Sequence, residues 1–550
     1  MSIHNNIKNT NIVTGLIIFI SSFLIFKFVF RSNKNNKKTY IENIGMDVTS
    51  LNPHIMNDGT SIRVSYDIYE GLLSFTNSGE LIKTGCKDYE ISDDNMTITL
   101  HLRENVKWAN GDNLTAEDYV YSLRRAVDPN TLATGFIGNL NDIKNAKAII
   151  KGDLNKEELG VYADDKYTLR IEFENPNSEF INYLTLPIFY PIHKNTVEKY
   201  GLGAFSKPDA IMCNGPYKIT KLVHNDNIIL EKNENYWDKD NVKIEKVKFL
   251  MITDGSVDLN TFRTGNEHMT YYNIPARDKS EYIKEFGDKY KDYTVLCQYK
   301  LFFNFNLEKY KDIRVRKALN IAMNRDSICE KVIKTAKPSY SVIHENVYNN
   351  EFENDIYKLE EYSWIDLSVE EKNKMARELL LEAGYSQEKP LTIEILTRSD
   401  ELHKNIASAI QDIYNKAFNG LVKCNLIFND VATWLNQLKK GDYDMSIARW
   451  AADYNLVTNF SMLLVSDNTM NFGRYNNNEV DELFYDSFKY SLEEYIEKQH
   501  ELIKIAALDY PIVPFAKLSR QRLISDKITG YNFENNILDR YSTKYLSFKE

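Results

Sequence analysis

The chain has 550 residues, 43% of them hydrophobic and 27% charged, with a formal net charge of −10. That length is too great for one hydrophobic core and fits about two or three packed domains. The negative charge is spread along the chain, which excludes the footprint of a nucleic-acid binder, and five cysteines with no C-x-x-C pair exclude a disulfide framework and a cysteine zinc site.

The first element is an uncharged apolar run at 12–26, broken at Lys27 and resumed to Phe30. At helical rise it spans about 22–28 Å, the borderline for a bilayer core. Ser21-Ser22 stand in the wrong place for a cleavage site, and no cysteine near the end of the run could receive a lipid. An uncleaved anchor over 12–30 is therefore expected. Lys27, Arg31, Lys34, Lys37 and Lys38 follow the run and only Lys8 precedes it. The positive-inside bias then places the following body in the cytoplasm, against an extracytoplasmic role.

The body begins near Thr39. Residues 96–103 alternate, with Ile98, Leu100 and Leu102 on one face and Thr97, Thr99 and His101 on the other, which predicts a half-buried strand. Asn110-Gly111 predicts a turn. Thr115-Ala116-Glu117-Asp118 reads as a capping box opening a helix with Val120, Leu123 and Val127 on one face. Further on, strands are predicted at 391–396, 422–428 and 445–450, separated by helices at 401–418 and 430–439. Strand–helix–strand–helix–strand is the signature of an α/β sheet with crossover connections. Ligands of such sheets sit beyond the carboxyl ends of strands, where Ala451-Ala452-Asp453-Tyr454 falls. A carboxylate between Trp450 and Tyr454 requires a cationic partner, either a protein Lys or Arg or a ligand amine.

Nine stretches then stand in the order in which they occur in the oligopeptide-binding proteins of ABC peptide importers, and the chain resembles that family over residues 40–550. They are Leu51-Asn52-Pro53-His54, Asp67-Ile68-Tyr69-Glu70-Gly71-Leu72, Trp108-Ala109-Asn110-Gly111 running into Leu114–Ser122, Val127-Asp128-Pro129-Asn130-Thr131 and Cys213-Asn214-Gly215-Pro216-Tyr217. Asn235-Tyr236-Trp237, Arg314-Val315-Arg316-Lys317-Ala318-Leu319, Leu402-His403-Lys404 and Trp450-Ala451-Ala452-Asp453-Tyr454-Asn455 complete the set. The resemblance implies an α/β periplasmic-binding-protein-like (Venus flytrap) fold, two lobes with an extra third domain and mixed sheets. After the anchor and tether at 1–36 that the apolar run predicts, it implies a discontinuous lobe I at 37–69, 197–296 and 520–550, an extra domain at 70–196 and lobe II at 297–519. It further implies a short peptide held extended, an ABC permease and ATPase as membrane partners, a monomer, and no cofactor, metal or nucleic acid. Asp453 is the position that pairs with the peptide's α-ammonium. His403 matches a histidine that meets the carboxylate of a longer peptide, the other reading being an exposed first-turn residue, and Phe136 matches an aromatic of the cleft wall or packs in a core. Trp450, Tyr454 and Arg449 complete the expected ligand-binding set.

The chain also departs from the family. The arginine two residues before the Gly-Trp pair is Ile447 here, with Arg449 displaced beside Trp450. The carboxylate-binding lysine is Ile333, with Lys334 adjacent; the wall tryptophan is Val431, with Trp434 one turn later; the cysteine that pairs with the equivalent of Cys297 is Ala451. A retained amino-end grip with altered carboxylate anchoring is expected. No G-x-S-x-G, H-E-x-x-H or P-loop occurs, so no enzyme is expected; a binding protein or sensor for another solute is the alternative.

Overall fold

The computed structural model describes residues 38–550 apart from 272, 273, 276, 348–350, 491 and 534. The apolar run at 12–30, and with it the expected anchor, lies outside the described residues. Among the described residues no helix is long and apolar enough to cross a membrane.

Local sequence pattern accounts for the third domain. Thr97–Leu102 buries Ile98, Leu100 and Leu102, and pairs antiparallel with Cys86–Ile91 and Thr168–Glu172; Val161–Asp165 completes a four-stranded sheet. The helix Ala116–Val127 opens on Thr115, whose backbone N–H donates to the Asp118 carboxylate at 2.8 Å. Its Tyr119, Val120, Leu123 and Val127 are buried in one core with Trp108 and the sheet. The turn before it needs Gly111, at φ 95°, where a side chain would be strained.

The first lobe is built on a second four-stranded sheet. Thr39–Asn43 runs parallel to Lys246–Leu250, and Asn227–Lys232 and Tyr217–Val223 follow antiparallel. The second lobe holds a six-stranded mixed sheet in the order Ala336–Pro338, Ile512–Leu523, Tyr290–Phe303, Met445–Ala451, Leu391–Arg398, Val422–Asn429. Leu391–Arg398 is parallel to both Val422–Asn429 and Met445–Ala451, as crossover helices require. Those helices, Glu401–Phe418 and Val431–Lys440, begin on Asp400 and Asp430, whose carboxylates accept from His403 N at 3.3 Å and from Ala432 and Thr433 N at 3.0 Å. Such caps stabilise a helix by about 1 kcal/mol each.

Two long strands join the lobes. Tyr290–Phe303 and Ile512–Leu523 pair antiparallel with a register shift between Thr294 and Gln298. At one end Tyr290 and Leu523 pack with Leu259, Phe262 and Tyr282; at the other, Leu301, Phe302 and Phe303 lie in the large core of the second lobe. All five cysteines are free and buried, and Cys297 stands directly opposite Ala451 in the sheet.

Candidate functional site

The strand Met445–Ala451 ends where Ala452 N donates to Leu296 O at 2.8 Å, and the chain then turns into a short helix at Thr458–Ser461. Asn459 folds this arm onto itself. Its backbone carbonyl accepts the Trp450 indole N–H at 2.7 Å, and its side-chain oxygen accepts from Trp450 Nε1 and from Asp453 N, both at 3.3 Å. The indole is thereby fixed beside Asp453 without a ligand having to order it.

Asp453 is half-buried. Its surroundings crowd the carboxyl while solvent still touches it, the situation of a cleft floor. Among the described residues its carboxylate has no hydrogen-bond or ion-pair partner; burial raises its pKa and the charge of Arg540 partly opposes that. Facing it from the first lobe are two groups that sequence reasoning missed. Arg540 Nη1 and the Tyr66 hydroxyl are buried without hydrogen-bond partners, and the charges of Arg540 and Asp453 both act on the Tyr66 phenol, which burial pushes up. Tyr66 comes from the helix Gly59–Ile68 and Arg540 from a loop braced by Asn536, whose side-chain oxygen accepts Arg540 N at 3.2 Å. An unpaired acceptor and unpaired donors thus lie within electrostatic reach of one another, a polar constellation with valences to spare.

The other expected residues are dispersed. Tyr454 is buried against Tyr183 with ring centroids 5.1 Å apart, and with Leu456 it belongs to the third domain's core. Beside it Thr458 Oγ1 donates to Glu179 Oε2 at 2.5 Å, and burial pushes the Glu179 carboxyl up to about 7. This side of the arm is a domain contact. His403 is buried rather than exposed: Nδ1 lies 2.7 Å from Asp400 Oδ1, and the ring meets Tyr299 edge-on at 5.6 Å. Burial foremost, then Arg398 and Arg449, lowers its pKa against the pull of Asp400. Arg449 is exposed and stands opposite Tyr299. Phe136 has a left-handed backbone, φ 58°, and packs half-buried against the third domain's core. Ile447 and Ile333 are buried in the second lobe's core, Val431 is exposed, and Trp434 Nε1 donates to Ser446 Oγ at 3.2 Å. Among the described residues no cluster of three His, Cys, Asp or Glu could hold a metal ion.

Comparison with known proteins agrees with this architecture. The chain is 34% identical over 514 residues to the periplasmic oligopeptide-binding protein OppA of Salmonella typhimurium, covering 90% of each, and 31% identical to that of Escherichia coli, covering 92% of each. The structure of Haemophilus influenzae OppA in complex with RPPGFSPFR matches with a TM-score of 0.79 at 29% identity, covering 94% of this chain and all of that one. The Escherichia coli murein tripeptide binding protein MppA matches at 0.78 and 29%, covering 93% and 99%. The fold is that of a two-lobed periplasmic binding protein with mixed α/β sheets. Residues 82–472 match the model of the bacterial extracellular solute-binding proteins, family 5, and the chain belongs to that family.

Proposed function

We propose that this protein is the extracytoplasmic binding component of an ABC-type oligopeptide importer, enclosing a short extended peptide between its lobes with the α-ammonium on Asp453. The observation that carries this reading is the Asp453 carboxylate, desolvated and without a partner among the described residues, on an arm whose indole is already fixed. A cation is the missing partner of such a group, and a charge-assisted bond in a closed gap favours a free amine over an acylated one. The relatives named as oligopeptide-binding proteins support a peptide as its bearer.

In this reading Trp450 lines the first subsite, Arg449 and His403 lie further along the peptide, Phe136 stands on the third domain's side, and Tyr454 acts by holding that domain. Residues 12–30 tether the body to the membrane, lobe II occupies 297–519 and the third domain 70–196. The peptide leaves intact. Mass spectrometry of the ligand carried through purification, followed by calorimetry with that peptide and its N-acetylated form, tests the proposal. Intact peptides and strong loss on acetylation are expected; a ligand without an amine, or no effect of acetylation, refutes it.

A further inference from the structure

The second lobe contains a buried cation without a counter-charge. Lys300 is 0% exposed, and among the described residues no carboxylate lies within ion-pair distance of it. Its ammonium donates to Gln298 Oε1 and lies 5.3 Å from the centre of the Phe460 ring. Among the described residues, other buried cations are matched by carboxylates or, as at Arg325, have their donors taken up by several oxygen acceptors. Lys517 contacts Glu345 at 2.6 Å and Glu353 at 3.0 Å, Arg63 contacts Glu42 at 2.7 Å, and Arg325 is surrounded by backbone carbonyls and Asn320. A lone ammonium in a protein interior is costly unless an anion comes to it.

The surroundings of Lys300 offer further donors. Gln298 Nε2 donates to Ser339 Oγ at 3.0 Å and to the carbonyls of Ser341 and Ile343 at 3.4 Å, which brings the 339–344 segment to the ammonium. His344, next along, accepts from Asn346 N at Nδ1, 3.1 Å away. Its proton is therefore on Nε2, which is buried and has no acceptor. Asn459 Nδ2, adjoining Phe460, is likewise buried without an acceptor. Burial lowers the Lys300 amine to about 7, so near neutral pH it holds its proton only in part, and an arriving anion would draw the proton onto it. The location links this cluster to the ligand arm. Gln298 stands opposite Trp450 and Lys300 opposite Ala448, so all four project from one face of the sheet, and Phe460 belongs to the arm that carries Asp453.

We infer that Lys300, with the Nε2–H of His344, forms a subsite for a carboxylate of the bound ligand. The inference rests on the peptide reading above and deepens it, because, of the positions at which the family resemblance places carboxylate anchors, Ile447 and Ile333 are buried and apolar, and His403 is already engaged by Asp400 at 2.7 Å. The carboxylate is the peptide's own terminus or an acidic side chain.

Calorimetry on the full chain with a tetrapeptide series separates these sources. The series has a free or amidated carboxyl end, and Glu or Gln at each position in turn. In the wild type, one neutralisation, terminal or side-chain, is expected to weaken binding by about 10- to 100-fold. In Lys300→Met the same neutralisation is expected to have no effect, while the free amine is still required. Lys300→Gln serves as the second variant, and unchanged melting of either shows that folding is intact. Equal discrimination by the variants and the wild type, or no discrimination by the wild type, overturns the inference. If no peptide of the series binds the wild type, the peptide reading itself falls.

Discussion

Asp453→Asn is expected to change affinity and stability in opposite directions. Asn has nearly the shape of Asp, and the backbone bond from residue 453 to Asn459 and the Trp450 lock do not involve the carboxylate. The substitution therefore removes the charge and little else. Loss of one charge-assisted bond to an ammonium costs about 1.5–3 kcal/mol, or about 10- to 100-fold in Kd. Stability without ligand moves the other way. Burial raises the Asp453 pKa in the folded state above its ordinary value, so the folded protein binds the proton more tightly than the unfolded chain. That contribution is complete below the ordinary carboxylate range and is lost as pH rises through the raised folded pKa. At neutral pH the ionised carboxylate is thus a burden on the empty protein, one that Arg540 only partly relieves, and the Asn variant is expected to melt about 1–2 °C higher. A double cycle of this variant against N-acetylation of the peptide isolates the pair: the two changes together should cost little more than either alone. A variant that melts lower and binds free-amine peptide as tightly as the wild type would show Asp453 to be a structural acid and refute the reasoning.

Two other perturbations follow from geometry. Glu179 joins the third domain to Thr458 and sits at about 7 rather than at its ordinary 4.5. Its contribution, on the order of 3 kcal/mol, is present at low pH and lost as pH rises through about 7, so melting should fall between pH 5 and 8 in the wild type and much less in Glu179→Gln; parallel pH profiles would exclude it. Ala451→Cys places a thiol opposite Cys297 in an antiparallel pair, where Cα atoms about 4.5–5.5 Å apart suit a disulfide. Under oxidising conditions the unfolded variant should titrate four thiols and its folded form gain about 2–4 kcal/mol; six titrated thiols would mean that the side chains do not meet.

The sheet segment from 391 to 451 was almost fully legible in the sequence. The observed elements Leu391–Arg398, Glu401–Phe418, Val422–Asn429, Val431–Lys440 and Met445–Ala451 fall within two residues of the predicted ones. Periodicity reports one-sided burial, and Asp400 and Asp430 mark the helix starts through their own side chains. The same approach fails for Tyr290–Phe303, whose final residues are buried one after another. A strand covered on both faces has no alternation to read.

The site was legible only where it is local. Trp450 and Asp453 stand just at and beyond the end of one strand, which the pattern of residues marks, whereas the role of Asn459, six residues on, shows only in the bonds it accepts from both. Tyr66 and Arg540 come within electrostatic reach of Asp453 from positions 387 residues before it and 87 residues after it, and neither lies in a motif. Nothing in the order of residues signals that a tyrosine on an early helix and an arginine near the carboxyl end will lose their partners in the same gap. Lys300 shows the same limit from the other side. In sequence it is one charge in Tyr299-Lys300-Leu301, easily read as the polar position of a half-exposed strand. Only when Leu301, Phe302 and Phe303 prove buried around it does its charge become an anomaly. The informative quantity is the mismatch between a residue's chemistry and its surroundings, which exists only once distant segments have been brought together.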